Sequence, residues 1–486
     1  MSLTESDKRP YDVVVVGNGA LGLSLGLTLA RRKVRVAVLG EPHRPWAAST
    51  AAGAMNGCFG EVTTTLVASD HGRYKLDMDV QARKMWPEWS KQLADETGQP
   101  NVQTADGTVV HLNTVGSPGI DEGNYAAIRT QLDKYEEPYE DIDPADVEWM
   151  VAHASQRSLK AFFIPGEHAV DSHRLLDQLQ QSYLLAGGVL IAESALRLEY
   201  ADGQIQGVSL TSGETVSAKD VVLAAGVRSQ DLLDTVPDIA RRVPRLVSGY
   251  GVSALIDTED NTSPKSVIRT PNRAFACGLH IVPRGDGKVY VGATNIITPE
   301  PQDTPVLRDV QFLLDCAHRQ VRTNLWNSGL SRLQVGNRPV SLDAFPLLGQ
   351  TEGLAGLWMM TGTYRDGLHL SPLLAKEMAA RILGEEPQLE LERFRPVRAP
   401  IQPMTREEAV DQAVTHMLAT GWEYNWQVTV DWPVIVEYNM RPSYTKWAED
   451  FDPQFVPPPE LLAASRIHPS LVKMLRDYYE ASRTGV

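Results

Sequence analysis

Cysteine is scarce in this chain: Cys58, Cys277 and Cys316 are the only three among 486 residues, widely spaced and without a Cys-x-x-Cys pair. That excludes a disulfide framework and a structural zinc site, and it fits a reducing, cytoplasmic compartment. Basic charge is not in excess either. Lys and Arg number 46 against 61 Asp and Glu, a formal net charge of −15, which argues against nucleic acid as the main partner because phosphate binding concentrates Lys and Arg. An anionic substrate would therefore need a local positive site. No apolar run approaches the ~20 residues that cross a bilayer, and the polar start "MSLTESDKRP" precedes a strand rather than a signal core, so neither export nor a membrane partner is expected. Internal repeats and low-complexity tracts are missing too.

The length exceeds what one hydrophobic core usually supports, so two interleaved domains plus an appendage are expected. Val13 to Val16 is a β-branched run ending at glycine, followed by Leu21, Leu25 and Leu29 at helical spacing and the short strand Val34 to Leu39. This is a βαβ unit buried on both faces. Two later stretches read as returns to the same sheet: 169–229, with a hairpin at Asp202–Gly203 and a strand Val221 to Ala224, and 357–384, a strand, a glycine-containing loop and an amphipathic helix ending at Gly384. Between them "GLHIVPRGDGKVYVGAT" has antiparallel character. After Arg398 the texture changes to a segment holding Trp422, Trp426, Trp432 and Trp447, expected to pack over the body or over a neighbouring subunit, which leaves room for a homo-oligomer.

Gly17, Gly19 and Gly22 form a G-x-G-x-x-G turn between strand and helix. The first permits the tight turn, the second lets a pyrophosphate approach the backbone, and the third lets helix and sheet pack closely, with the helix N-terminus attracting the phosphates. The position that usually offers an acid to the ribose is Gly40. Two accounts stay open at this point: Glu41 or backbone holds a non-phosphorylated dinucleotide, or Gly40 with His43 and Arg44 accommodates the extra phosphate of NADP.

"STAAGAMNG", Ser49 to Gly57, resembles the small-residue segment along the pyrophosphate in the D-amino-acid oxidase superfamily of FAD enzymes. "GTVVHLN", "HAVDSHRL", "VVLAAGVRS", "IVPRGDGKVYVGAT", "GNRPVSLDAFPLLG" and "TGTYRDGLHLSP" keep that family's order over about Tyr11 to Leu391, and the set is most similar to its glycine oxidase members, with sarcosine oxidase-like enzymes next. The resemblance implies an α/β fold with a Rossmann-like FAD-binding domain of the glutathione reductase type (1–95, 165–235 and 335–398), an inserted antiparallel-sheet substrate domain (96–164 and 236–334) and a C-terminal extension (399–486). It implies oxidation of a small carboxylated amine, glycine or an N-substituted glycine, to an imine that hydrolyses to an oxo acid and amine, with oxygen reduced to hydrogen peroxide. The alternatives are a dehydrogenase with another acceptor and a non-catalytic flavin-binding subunit. No metal is expected.

Site residues follow by matching motifs. Arg338 matches the arginine that pairs with the substrate carboxylate, a role suited to its planar fork of donors. Arg365 and Tyr364 fall beside the flavin; His280 stands where a pocket tyrosine is usual and could face a second carboxylate or an amine; Asn295 and Tyr250 complete the expected substrate pocket. FAD contacts are expected from Gly17, Gly19, Ala20, Leu21, Gly22, Glu41, Ser49, Thr50, Ala52, Gly53, Met55, Ala225, Gly226, Gly362, Arg365, Asp366, Gly367 and Leu368. The flavin is expected to be non-covalent, since Thr50 replaces the attaching histidine and "TGTYRDG" carries no cysteine.

Overall fold

The β-branched run is a strand, Tyr11–Val16, at the centre of an α/β layer. It pairs in parallel with Val36–Leu39 on one side and Thr215–Leu223 on the other; Val189–Ile191 and Leu357–Thr361 extend the parallel sheet, and Leu347–Gln350 closes one edge antiparallel. The computed structural model describes residues 9–274, 278–424, 426–429 and 431–484, so Cys277 lies outside the described residues. Helix Ala20–Arg31 runs back beneath the sheet, burying Leu23, Leu25, Leu27 and Leu29 against Leu175 and Leu179 of helix Ser172–Leu185 and against Leu374 and Met378 of helix Ser371–Ile382. The hairpin turn at Asp202 and Gly203, both at positive φ (50° and 73°), joins Ala195–Ala201 to Gln204–Leu210.

A second, largely antiparallel sheet is built from the segments between these returns. Its longest strands, Gln103–Asn113, Ser158–Val170, Leu246–Asp257 and Gly329–Ser341, pair with one another in two sets joined through Val267–Arg269, His280–Gly285 and Lys288–Gly292. Met55–Asn56 adds to its edge, so the small-residue segment passes from one sheet to the other. The strands Ser158–Val170 and Gly329–Ser341 run through the boundaries expected at 164/165 and 334/335.

The C-terminal extension is more regular than its Trp-rich sequence suggests: among its described residues are the four helices Arg406–Glu423, Trp432–Glu449, Pro459–Ser465 and Pro469–Thr484. The first starts at a capping box in which Thr405 and Glu408 satisfy each other's backbone N–H groups. Val414, Tyr444, Leu462 and Tyr479 bury against Val247 and Val340 of the second sheet and against Leu342 just past its strand, so the extension covers this chain's own body. Trp432 is exposed and Trp447 donates to Ser465 Oγ.

The hinge to this extension is a buried ion pair. Arg398 donates through Nε and Nη2 to both carboxylate oxygens of Asp343, each at 2.8 Å, and through Nη1 to the Pro346 carbonyl at 2.7 Å, while Tyr478 donates back to the Arg398 carbonyl at 2.9 Å. Removing one partner leaves a desolvated charge uncompensated. Asp343→Asn is therefore expected to lower the free energy of unfolding by about 3–5 kcal/mol, measured by chemical denaturation, with the Trp-rich helices becoming protease-sensitive first.

Candidate active site

A cavity of ≈ 530 Å³ runs from the C-terminal ends of the parallel strands to the inner face of the second sheet. At its first end lie Glu41, Trp46, Ser194, Thr211, Arg228 and Asp231; the glycine turn is in the middle; His280, Arg338, Tyr364 and Arg365 are at the far end.

The glycine turn has the form a pyrophosphate needs. Gly17 has φ +118°, and a Cβ there would stand 2.4 Å from the Ala224 carbonyl oxygen, so strand, turn and the neighbouring Ala224–Gly226 segment approach through bare backbone. Ser49 Oγ accepts from Ala20 N at 3.3 Å at the helix N-terminus. Two carbonyls of the small-residue segment, those of Ala52 and Gly53, accept from Arg284 Nη2 at 3.4 and 3.1 Å, which holds the segment from outside the cavity. These residues fit FAD.

Gly40 now has a physical reason. A Cβ there would lie 2.4 Å from Cγ of Asn18, whose Nδ2 donates to the Glu41 carbonyl at 2.9 Å. The space normally used by an acid is filled by an asparagine from the turn itself. Glu41 lines the cavity one residue later and accepts from Ser194 Oγ at 2.6 Å. Of the two side chains an extra NADP phosphate would need, His43 does not line the cavity, and Arg44 lines it but spends Nε on the Asn18 carbonyl (3.1 Å) and Nη2 on Gln180 (2.7 Å).

Of the expected cofactor contacts, Gly17, Gly19, Ala20, Leu21, Glu41, Ser49, Ala52, Gly53, Met55, Ala225, Gly226, Arg365, Asp366, Gly367 and Leu368 line the cavity. Gly22 and Gly362 lie behind it, packed on the Gly17 carbonyl and on Leu347. Thr50 does not line the cavity: its hydroxyl donates to the Ala47 carbonyl at 2.8 Å and its own carbonyl accepts from Gln334.

At the far end the strand period sorts the substrate candidates. Gly251 and Ser253 of strand Leu246–Asp257 face the cavity, so Tyr250, one residue out of phase, points to the opposite face. There its hydroxyl donates to the Thr304 carbonyl at 3.3 Å and accepts from Val306 N at 2.8 Å, which removes Tyr250 from the pocket. Arg338 sits opposite Gly249 in register and leans over Gly251. A Cβ at 251 would stand 2.4 Å from Arg338 Nη1. That nitrogen donates to the carbonyls of Thr294 (3.1 Å) and Gly249 (3.3 Å) and to Asn295 Oδ1 (3.2 Å), while Nε and Nη2 have no protein partner among the described residues. Asn295 stands behind the cavity wall, donating to the Tyr364 hydroxyl, so it orients Arg338 and Tyr364 instead of meeting a ligand directly.

His280 lines the cavity, but not as a charged group. Burial, with Arg269 adding to it, pushes its pKa down to about 4, and Nδ1 lies 2.8 Å from the Gly278 carbonyl. Burial thus favours the neutral ring at ordinary pH, and it stacks on Tyr290 at 5.7 Å. The flavin-side loop carries Asp366, ion-paired with Lys75, and Arg365, whose guanidinium carbon lies 4.8 Å over the Tyr364 ring. The extension reaches this loop from behind: Tyr364 packs against its core, and burial together with the Arg365 charge pushes His416 down to about 4.

Sequence reading passed over Glu61. It lies just beyond the quoted small-residue segment, lines the cavity, and is ion-paired with Arg269. Burial opposes its ionisation, yet Arg269, Arg365 and Asn272 together hold its pKa at about 2. Asn18, Trp46 and Arg284 were also missed, because each acts through a contact distant in sequence.

The family model described as FAD dependent oxidoreductase matches residues 12–381. The chain is 26% identical over 390 residues to glycine oxidase of Geobacillus kaustophilus, covering 79% of this chain and 96% of that protein. It is 26% identical over 389 residues to the bifunctional protein ThiO/ThiG of Trichormus variabilis, covering 77% of this chain but only 53% of that one, so it spans about half of that relative's length. The crystal structure of the Geobacillus kaustophilus glycine oxidase superposes with a TM-score of 0.67 at 22% identity, over 80% of this chain and 99% of the other. The extension lies outside the family match.

Two outcomes are expected. Gly17→Ala forces a side chain onto the Ala224 carbonyl at a positive φ, and the purified variant should lack flavin absorbance while remaining folded by circular dichroism. For His280, a folded-state pKa of about 4 against an ordinary 6.5 means that the unfolded chain binds the proton first. Stability from this residue is intact above pH ~6.5 and falls as pH drops toward ~4, by at most ~1.4 kcal/mol per unit. His280→Asn should flatten that decline, read as the difference in denaturation midpoint between pH 7.5 and 5.

Proposed function

This chain belongs to the FAD dependent oxidoreductase family, and from that premise we propose that it oxidises a small amine bearing a carboxylate, glycine or an N-substituted glycine, to the imine. Hydrolysis of the imine gives an oxo acid and an amine, and oxygen is the electron acceptor, yielding hydrogen peroxide. The cofactor is FAD, held without a covalent bond; when bound it supplies the two-electron acceptor at the far end of the cavity.

The observation that carries this reading is Arg338. Its guanidinium is half-buried at the cavity wall, tethered through Nη1 only, with Nε and Nη2 remaining for two parallel hydrogen bonds to a carboxylate. In a chain of net charge −15, that is the local positive site an anionic group requires. Gly251 and Asn295 pre-set its direction, which turns binding of the acid group into orientation of the adjacent Cα–H. Neutral His280 and the Tyr290 ring give the same end an apolar, desolvated wall, which strengthens the ionic contact.

A panel of glycine, sarcosine and larger N-substituted glycines, assayed for peroxide and oxo acid together, tests the reaction. Equimolar peroxide and oxo acid are expected, and amine oxidation without peroxide would move the protein to the dehydrogenase alternative. Arg338→Ala is expected to reduce kcat/KM by about 10²–10³-fold, the loss of a bidentate charged contact in a dry site, with the flavin spectrum retained. Unchanged turnover in that variant would remove the proposed pose.

A further inference from the structure

Once Arg338 is given to the acid group, the amine end of the substrate still needs an acceptor. Amine N–H groups donate to the protein, and of the charged side chains that line this end of the cavity Arg338 and Arg365 are donors themselves, while the Asp366 carboxylate is ion-paired with Lys75. Ser253 Oγ donates to the Ala51 carbonyl at 3.3 Å and offers only the lone pairs of a neutral hydroxyl. His280 Nε2 has a lone pair, but it is wedged where a Cβ on Gly292 would stand 2.6 Å away and one on Gly53 3.1 Å away. The remaining cavity-lining carboxylate at this end is Glu61.

We propose that the Glu61 carboxylate accepts the hydrogen bond from the amine nitrogen of the substrate, making it a substrate-binding residue opposite Arg338; this rests on the reading of Arg338 as the carboxylate site. The side chain ends the short helical turn Phe59–Glu61, whose Phe59 and Gly60 N–H groups are fixed by the buried Glu167 carboxylate at 2.8 and 3.0 Å. One oxygen of Glu61 accepts from Arg269 Nη1 and the other from Asn272 Nδ2 at 3.0 Å. A carboxylate offers about four acceptor positions, so each oxygen keeps one. The Glu61 side chain is 19% exposed and Arg269 only 2%, so the pair turns its anionic member toward the cavity. Arg269 itself is fully engaged, with Nε on the Thr270 carbonyl (3.1 Å) and Nη2 on Asn272 Oδ1 (2.8 Å). The result is an ionised acceptor whose position is set from three directions before any ligand arrives.

The test separates amine recognition from carboxylate recognition in the FAD-loaded enzyme. Acetate carries the acid group without the amine, and sarcosine or glycine carries both. Glu61→Gln is expected to leave competitive inhibition by acetate within about twofold and to lower kcat/KM for the amino acid by about tenfold or more, mainly through KM, since a charged hydrogen bond becomes a neutral one. Glu61→Asp, which keeps the charge for Arg269 while withdrawing the carboxylate from the cavity, should show the same split. An equal loss for acetate and amino acid, or no loss for either, overturns the proposal. If instead acetate fails to compete in the unaltered enzyme, the carboxylate site at Arg338 is what fails. Should Glu61→Gln not retain flavin, the Glu61→Asp comparison decides alone.

Discussion

The far end of the cavity depends on one close approach: a guanidinium lying flat across a glycine on the neighbouring strand. Arg338 reaches the Thr294 and Gly249 carbonyls only because position 251 has no Cβ; one there would sit 2.4 Å from Nη1. An arginine standing upright from a sheet would project into the cavity and sample many rotamers. Pressed against backbone and fastened at one nitrogen, it presents its other two in a fixed direction, so little rotamer entropy is left to lose on binding. Asn295 links the same nitrogen to Tyr364, and through it to the loop that carries Arg365.

The electrostatics of the site follow from unequal burial. His280 and Glu61 both lose solvation, but only Glu61 has an opposite charge in contact; the Arg269 charge that keeps the carboxylate ionised pushes the imidazole further toward its neutral form. A cavity with a cation on one wall, an anion on another and an uncharged ring between them suits a ligand of both signs better than a simple anion.

The extension, which the family match does not cover, is not a loose tail. It is fastened at Arg398–Asp343 and buries its own core against Val247, Val340 and Leu342. Val247 and Val340 lie in the very strands that carry Gly249, Gly251 and Arg338 and share their phase, so the helices pack beside the site on the face of the sheet that bears it. His416 is held neutral by this burial and by Arg365.

The sequence by itself determined the βαβ unit, the order in which separated segments return to the parallel sheet, and the placement of most residues along the nucleotide channel. These are legible because they are local: strand periodicity, helical leucine spacing and a glycine turn need no partner distant in the chain. The position of Arg338 at the cavity wall was readable for a different reason, its place in a motif. Tertiary structure decided what depends on distant contacts. Strand phase sends Tyr250 away from the pocket; Asn18 fills the space above Gly40; Arg284 holds the carbonyls of the small-residue segment; burial takes the charge from His280; and Arg269, more than two hundred residues along the chain from Glu61, keeps the charge on that carboxylate. A side chain's charge state is set by solvation and by neighbours, and neither is written in the residues adjacent to it.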